Sequence, residues 1–217
     1  MMNVLLCVIL APAAVLGCLW LVHRTYSENE RFSKALRRRG TLILAGIGIA
    51  AAILVFAMKR YWGGTAVGAC MNLAAFSMLF AMAAADAKTM TIPNSLTLVG
   101  VGLAVFKLAA YLVLLPDQAI GGLFHMALGG LFGAGIFIIA GFFSRGGVGM
   151  GDAKMFGVVG MLYGFEATFA VMLGALILMA LAGITLMLMK KADRHTHIPM
   201  APFAGASLFL AMLIGLV

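Results

Sequence analysis

Residues 152–190, DAKMFGVVGMLYGFEATFAVMLGALILMALAGITLMLMK, decide how this chain folds. Apart from Asp152, Lys154, Glu166 and Lys190 the stretch is uncharged. As one helix its 39 residues would rise about 58 Å, nearly twice the roughly 30 Å thickness of a hydrocarbon core. A break is therefore predicted around Tyr163-Gly164-Phe165-Glu166. It leaves a short piece, 152–164, and a long one, 167–189. The short piece rises only about 18 Å, so it reads as a short or tilted span beside a thinned, wet region. A re-entrant piece would instead move Lys190, Lys191 and Arg194 to the opposite side.

Working outward, the same texture fills the chain. Of 217 residues, 64% are hydrophobic and 10% charged, with a mean hydropathy of +1.12; soluble domains carry about 25% charged residues. The expected fold is all-α and polytopic, with about eight transmembrane helices at 2–22, 41–58, 66–86, 95–115, 120–143, 152–164, 167–189 and 199–217. The first run lacks a basic leading segment and feeds into further spans, so it reads as a retained helix rather than a signal peptide. Twelve of the fifteen basic residues fall in alternate connections: Arg24 to Arg39, Lys88, Arg145 with Lys154, and Lys190 to Arg194. By the positive-inside rule these are cytoplasmic and the amino terminus is outside. The net charge of +8 is thus a topology signal and not a nucleic-acid footprint. Cys7, Cys18 and Cys70 form no C-x-x-C pair and read as small apolar side chains. His195 and His197 have no cysteine or acid at ligand spacing, so no metal or other cofactor is expected.

Seven acidic residues remain to be placed. Glu28, Glu30, Asp117, Glu166 and Asp193 fall in connecting segments and read as solvated. Asp86 ends the third span and Asp152 opens the sixth, behind the glycine-rich residues 146–151. Glycine there permits positive φ and close backbone approach. A carboxylate at membrane depth is a functional-site hypothesis. The topology puts both acids at the cytoplasmic border, where paired carboxyls are equipped for aspartyl proteolysis: one takes a proton from water, the other donates to the scissile carbonyl. The helix dipole at the start of the sixth span favours Asp152 as the base. The alternative is structural: Asp152 as a helix N-cap and Asp86 as a span terminator. From topology the two readings stand level.

A resemblance then adds weight. Gly149-Met150-Gly151-Asp152-Ala153-Lys154 resembles the G-x-G-D-x-K signature of type IV prepilin peptidases, and Asp86-Ala87-Lys88 with Ile92-Pro93-Asn94 resembles their first-aspartate motif. Ile198-Pro199-Met200-Ala201-Pro202-Phe203 is similar to their Ile-Pro-x-x-Pro-Phe. The three matches span about 80–217. The resemblance implies an intramembrane aspartyl endopeptidase that removes basic leaders from prepilins or pseudopilins at the cytoplasmic face of the bacterial or archaeal inner membrane. Carried over, Asp86 and Asp152 are the catalytic pair and Gly149 and Gly151 shape the turn that delivers the second acid. Lys88, Pro93, Asn94, Lys154, Pro199 and Pro202 are supporting or substrate-contacting positions. The companion Tyr-Asp and Pro-Ala-Leu motifs of presenilin-like proteases are absent.

The expected division is 1–65, two helices joined by a basic loop, and 66–217, a six-helix catalytic core. Many prepilin peptidases carry a cysteine-rich cytoplasmic insertion for N-methylation. Segment 23–40 has no cysteine and is too short for it, so peptidase activity without methyltransferase activity is expected. The partners are a prepilin substrate and the lipid bilayer, with no nucleic acid. The competing expectation is a transporter or a noncatalytic assembly factor whose paired acids move protons or hold structure.

Overall fold

The computed structural model describes residues 2–25, 40–63, 65–114, 116–143, 149–190 and 196–217. Seven helices lie among them: α1 Met2–Thr25, α2 Gly40–Tyr61, α3 Ala66–Thr89, α4 Asn94–Leu114, α5 Pro116–Phe143, α6 Met150–Leu188 and α7 Ala201–Leu213. The chain is an all-α, polytopic membrane protein. By length and composition five of the helices, α2 to α6, are able to cross a membrane, while α7 and the portion Ile9–Thr25 of α1 are shorter apolar helices. The eight runs read from sequence fall on these seven helices, the sixth and seventh runs being the two parts of α6.

α3 is the hub. Its sequence has no distinct polar face, the pattern of a helix enclosed by others, and Leu73, Phe76, Met78, Leu79, Met82 and Ala85 are all buried. α1, α2, α4 and α7 pack around it, and α5 packs against α6. One cluster of buried apolar side chains extends from Ala11 and Val15 of α1 to Leu208 and Met212 of α7. Thr65 starts α3 by accepting the Gly68 N–H at 3.1 Å. Met90 ends it in a left-handed conformation (φ 52°, ψ 33°), its N–H donating to the Asp86 carbonyl at 2.8 Å.

The break predicted in the opening stretch lies at Gly164 (φ 80°, ψ −177°). Only glycine adopts that conformation without strain. The break is a reversal, not a bend. A Cβ placed on Gly133 of α5 would overlap the Phe156 carbonyl and lie 3.2 Å from Thr168 Cγ2. On a straight helix residues 156 and 168 would sit about 18 Å apart, so the two parts of α6 fold back beside the same point of α5. Glycines make this packing close: a Cβ on Gly129 or Gly160 would overlap the other's backbone region, and one on Gly130 would meet Met161 at 2.8 Å. Gly135 makes no such approach. Ring contacts hold both arms to α5, with Phe137 stacked on Phe156 at 5.0 Å and Phe132 edge-on to Phe165 at 4.5 Å.

A reversed helix leaves carbonyls without intrahelical donors, and these are met locally. Lys107 of α4 donates its ammonium to the Leu162 carbonyl, and Thr168 donates its hydroxyl to the Gly164 carbonyl at 2.6 Å. A cation at a helix C-terminus also suits the macrodipole.

Candidate active site

Three helix ends meet at one end of the bundle: the last turn of α3, the first turn of α6 and the start of α7. Asp86 occupies the first of these and is buried, at 6% exposure. Its Oδ2 accepts the Ala201 N–H at 3.0 Å. An anion in the last turn of its own helix opposes the dipole, whereas the N-terminus of α7 offers it a favourable field. The segment 198–203, far off in sequence, is thereby tied to Asp86.

Asp152 sits in the first turn of α6 and is half-buried. It is not the N-cap; that place belongs to Gly149, so the capping alternative does not describe it. Its own N–H donates to the Gly149 carbonyl at 3.1 Å, while its carboxyl takes no hydrogen bond among the described residues. Asp86 and Asp152 come from positions 66 residues apart, yet both lie at the same end of the bundle, because Ile92, just past the end of α3, packs on Gly151 beside Asp152.

The glycines act through size rather than unusual torsion, which corrects the expectation of positive φ. Gly149 is extended (φ −70°, ψ 126°) and Gly151 is helical. Among the described glycines, positive φ occurs at Gly63, Gly164 and Gly215. A Cβ on Gly149 would lie 3.3 Å from Asp152 Oδ2, and one on Gly151 would lie 3.4 Å from Ile92. The α6 turn thus fits between its own aspartate and the Ile92-Pro93-Asn94 segment. Residues 146–148 lie outside the described residues.

Residues 73–184 match the type IV leader peptidase family. This chain belongs to that family. It is 33% identical over 139 residues to the prepilin leader peptidase/N-methyltransferase of Bacillus subtilis (strain 168), an alignment covering 64% of this chain and 53% of that protein. The chain spans about half the length of the relative it matches. No solved structure matches. The family match takes in Asp86 and Asp152 and stops before the 198–203 segment that holds Asp86.

The remaining positions of this leader-peptidase chain have distinct places. Lys154 is exposed and donates to Asn94 Oδ1 at 2.9 Å, linking the start of α6 to the start of α4. Pro93 is buried and its carbonyl accepts the N–H groups of Leu96 and Thr97, so it forms the entry to α4. Pro202 stands in the first turn of α7 and Pro199 is half-buried just before it. Lys88 is exposed on the last turn of α3. Among the described residues no three of His, Cys, Asp and Glu are grouped to hold a metal.

Lys107 is a functional candidate that the sequence motifs do not mark. Its signal was available: it is the one charge inside the run 95–115. It lies some 13 residues into α4, about 20 Å from Asn94, toward the end of the bundle away from the carboxyls. Two cavities of about 440 and 360 Å³ share it as lining, together with Tyr111 and Tyr163. The larger also reaches Asp117, Gln118 and His125, and the smaller Lys59 and Asn72.

Proposed function

We propose that this chain is an intramembrane aspartyl endopeptidase that removes leader peptides from prepilins or pseudopilins, with Asp86 and Asp152 as its catalytic pair. The observation that carries the reading is that these two acids, the one buried and the other half-buried, lie at the same end of the bundle on separate helices of a type IV leader peptidase family member. The similarity to the prepilin leader peptidase/N-methyltransferase of Bacillus subtilis supports the substrate class. In the reaction one ionised carboxyl takes a proton from water and the resulting hydroxide equivalent adds to the scissile carbonyl. The protonated carboxyl donates to that oxygen. Collapse breaks the C–N bond, and the leaving nitrogen takes up a proton from the pair. The substrate's bond must leave its helix to be attacked, because a helical carbonyl is hydrogen-bonded and covered.

The charge pattern supports a cytoplasmic location for this end of the bundle and an outside amino terminus, and membership of the leader peptidase family supports the inner membrane as the site of action. Supporting roles at Lys88, Pro93, Asn94, Lys154, Pro199 and Pro202, and a turn-shaping role at Gly149 and Gly151, belong to the same proposal, as does the absence of methyltransferase activity. Co-expression with a prepilin tests it. Wild type should convert the prepilin to its shorter form, and Asp86→Asn and Asp152→Asn should each leave it full length. Processing by either variant at the wild-type rate would show that the pair is not catalytic.

A further inference from the structure

The start of α7 has few amide donors to offer. Its cap residue Met200 has helical torsions (φ −85°, ψ −33°) and provides no side-chain cap. Pro202 has no N–H. The N–H groups of Phe203 and Ala204 both turn inward to the Met200 carbonyl at 3.1 Å. The Ala201 N–H, one of the orphan donors of a helix start, goes to Asp86 Oδ2 at 3.0 Å across 115 residues of sequence. Asp86 therefore does for α7 what its own cap residue cannot.

Packing fixes the distance over which this bond acts. Gly205 lies one turn into α7, and a Cβ placed on it would be 3.8 Å from Ala83 Cβ. Ala83 precedes Asp86 by three residues and so shares its face of α3. Ala201, Ala204 and Gly205 are all buried. Small residues let the two helices approach closely, and one turn away the approach ends in the carboxyl–amide bond. The partner acid is held differently. Asp152 takes no hydrogen bond among the described residues, is half-buried, and has a glycine as its nearest preceding neighbour within the turn.

We propose that the Ala201 backbone N–H is a positioning donor for Asp86, which clamps this carboxyl to α7. The proposal rests on the reading of Asp86 and Asp152 as catalytic. Pro202 assists by removing a competing donor from the same turn. The Ile198–Phe203 segment thereby acts through Asp86 rather than by touching substrate.

The test replaces Ala201 by its α-hydroxy acid in the full-length reconstituted protein, converting one amide to an ester, which deletes the N–H and weakens the Met200 carbonyl as an acceptor. The same replacement at Ala211, in the last turn of α7, is the control and carries the same weakening of an accepting carbonyl, that of Leu210. A hydrogen bond to a carboxyl is strong enough that kcat for leader cleavage should fall about tenfold to hundredfold, with KM changed less than about twofold. The Ala211 ester should retain wild-type kcat. Unchanged kcat for the Ala201 ester, a loss expressed in KM, or an equal loss in the control would overturn the proposal. Hydrogen exchange in the inactive Asp86→Ala protein gives a second readout that needs no catalysis. The Ala201 amide should exchange at least about tenfold faster than in wild type while amides of 205–208 keep their protection; no acceleration at Ala201 would also overturn it. Should Asp86→Asn still process prepilin, the catalytic reading fails by itself, and the exchange result continues to report on the clamp.

Discussion

Gly149 and Gly151 precede Asp152 by three residues and one, yet a methyl group should matter at only one of them. At Gly149 an added Cβ would crowd Asp152 Oδ2 at 3.3 Å, so Gly149→Ala should displace the carboxyl and lower the cleavage rate about tenfold or more, given how steeply rate depends on geometry. At Gly151 the added atom would meet Ile92 at ordinary contact distance, 3.4 Å, and Gly151→Ala should cleave within about threefold of wild type. Cleavage rates of the two variants at matched protein levels check the contrast, and equal losses would contradict it. Asp86 and Asp152 were legible as residues because few acids interrupt an apolar chain. What holds Asp86 was not legible, since the partner is a backbone N–H and carries no residue-type signature. Lys107 was missed for a related reason: its acceptor, the Leu162 carbonyl, is free only because the chain reverses at Gly164.

Among the elements, α6 sets the geometry of the site. The length of 152–190 demanded a break, and glycine beside an acid marked where. Periodicity did not tell reversal from kink, which depends on packing against Gly129, Gly130 and Gly133 of α5. Gly164→Ala should therefore destabilise the protein by about 1–3 kcal/mol, because φ near 80° with ψ near 180° is open only to glycine. Lys107→Met should destabilise it by a similar 1–3 kcal/mol by leaving the Leu162 carbonyl without its donor. Denaturation midpoints in one detergent, with the exposed Lys190→Met as the reference, measure both. A midpoint for Gly164→Ala equal to wild type would mean that the reversal is not fixed by that residue.

For the molecule as a whole, α6 runs on past the carboxyls. Gly174 faces Ser207, and from there α6 continues 14 residues to Leu188 while α7 reaches back only six to Ala201. For helices packed side by side, the surplus of eight residues corresponds to about 12 Å, so the acids lie recessed from the end of α6. Orientation rests on the asymmetry of basic residues. In a cysteine-free background, Lys190→Cys should react with a membrane-impermeant thiol reagent only from the cytoplasmic side, and Lys59→Cys only from the outside. The reverse pattern would invert the topology.

The central claim is that two carboxyls from α3 and α6 together cut the leader. Its most direct test is a cleavage assay with purified protein in a lipid bilayer and a full-length prepilin, the products identified by mass. Wild type should release an intact leader and a shortened pilin at one bond, with Asp86→Asn and Asp152→Asn each slower by at least about a hundredfold. Cleavage at that bond by either variant at the wild-type rate would contradict the account.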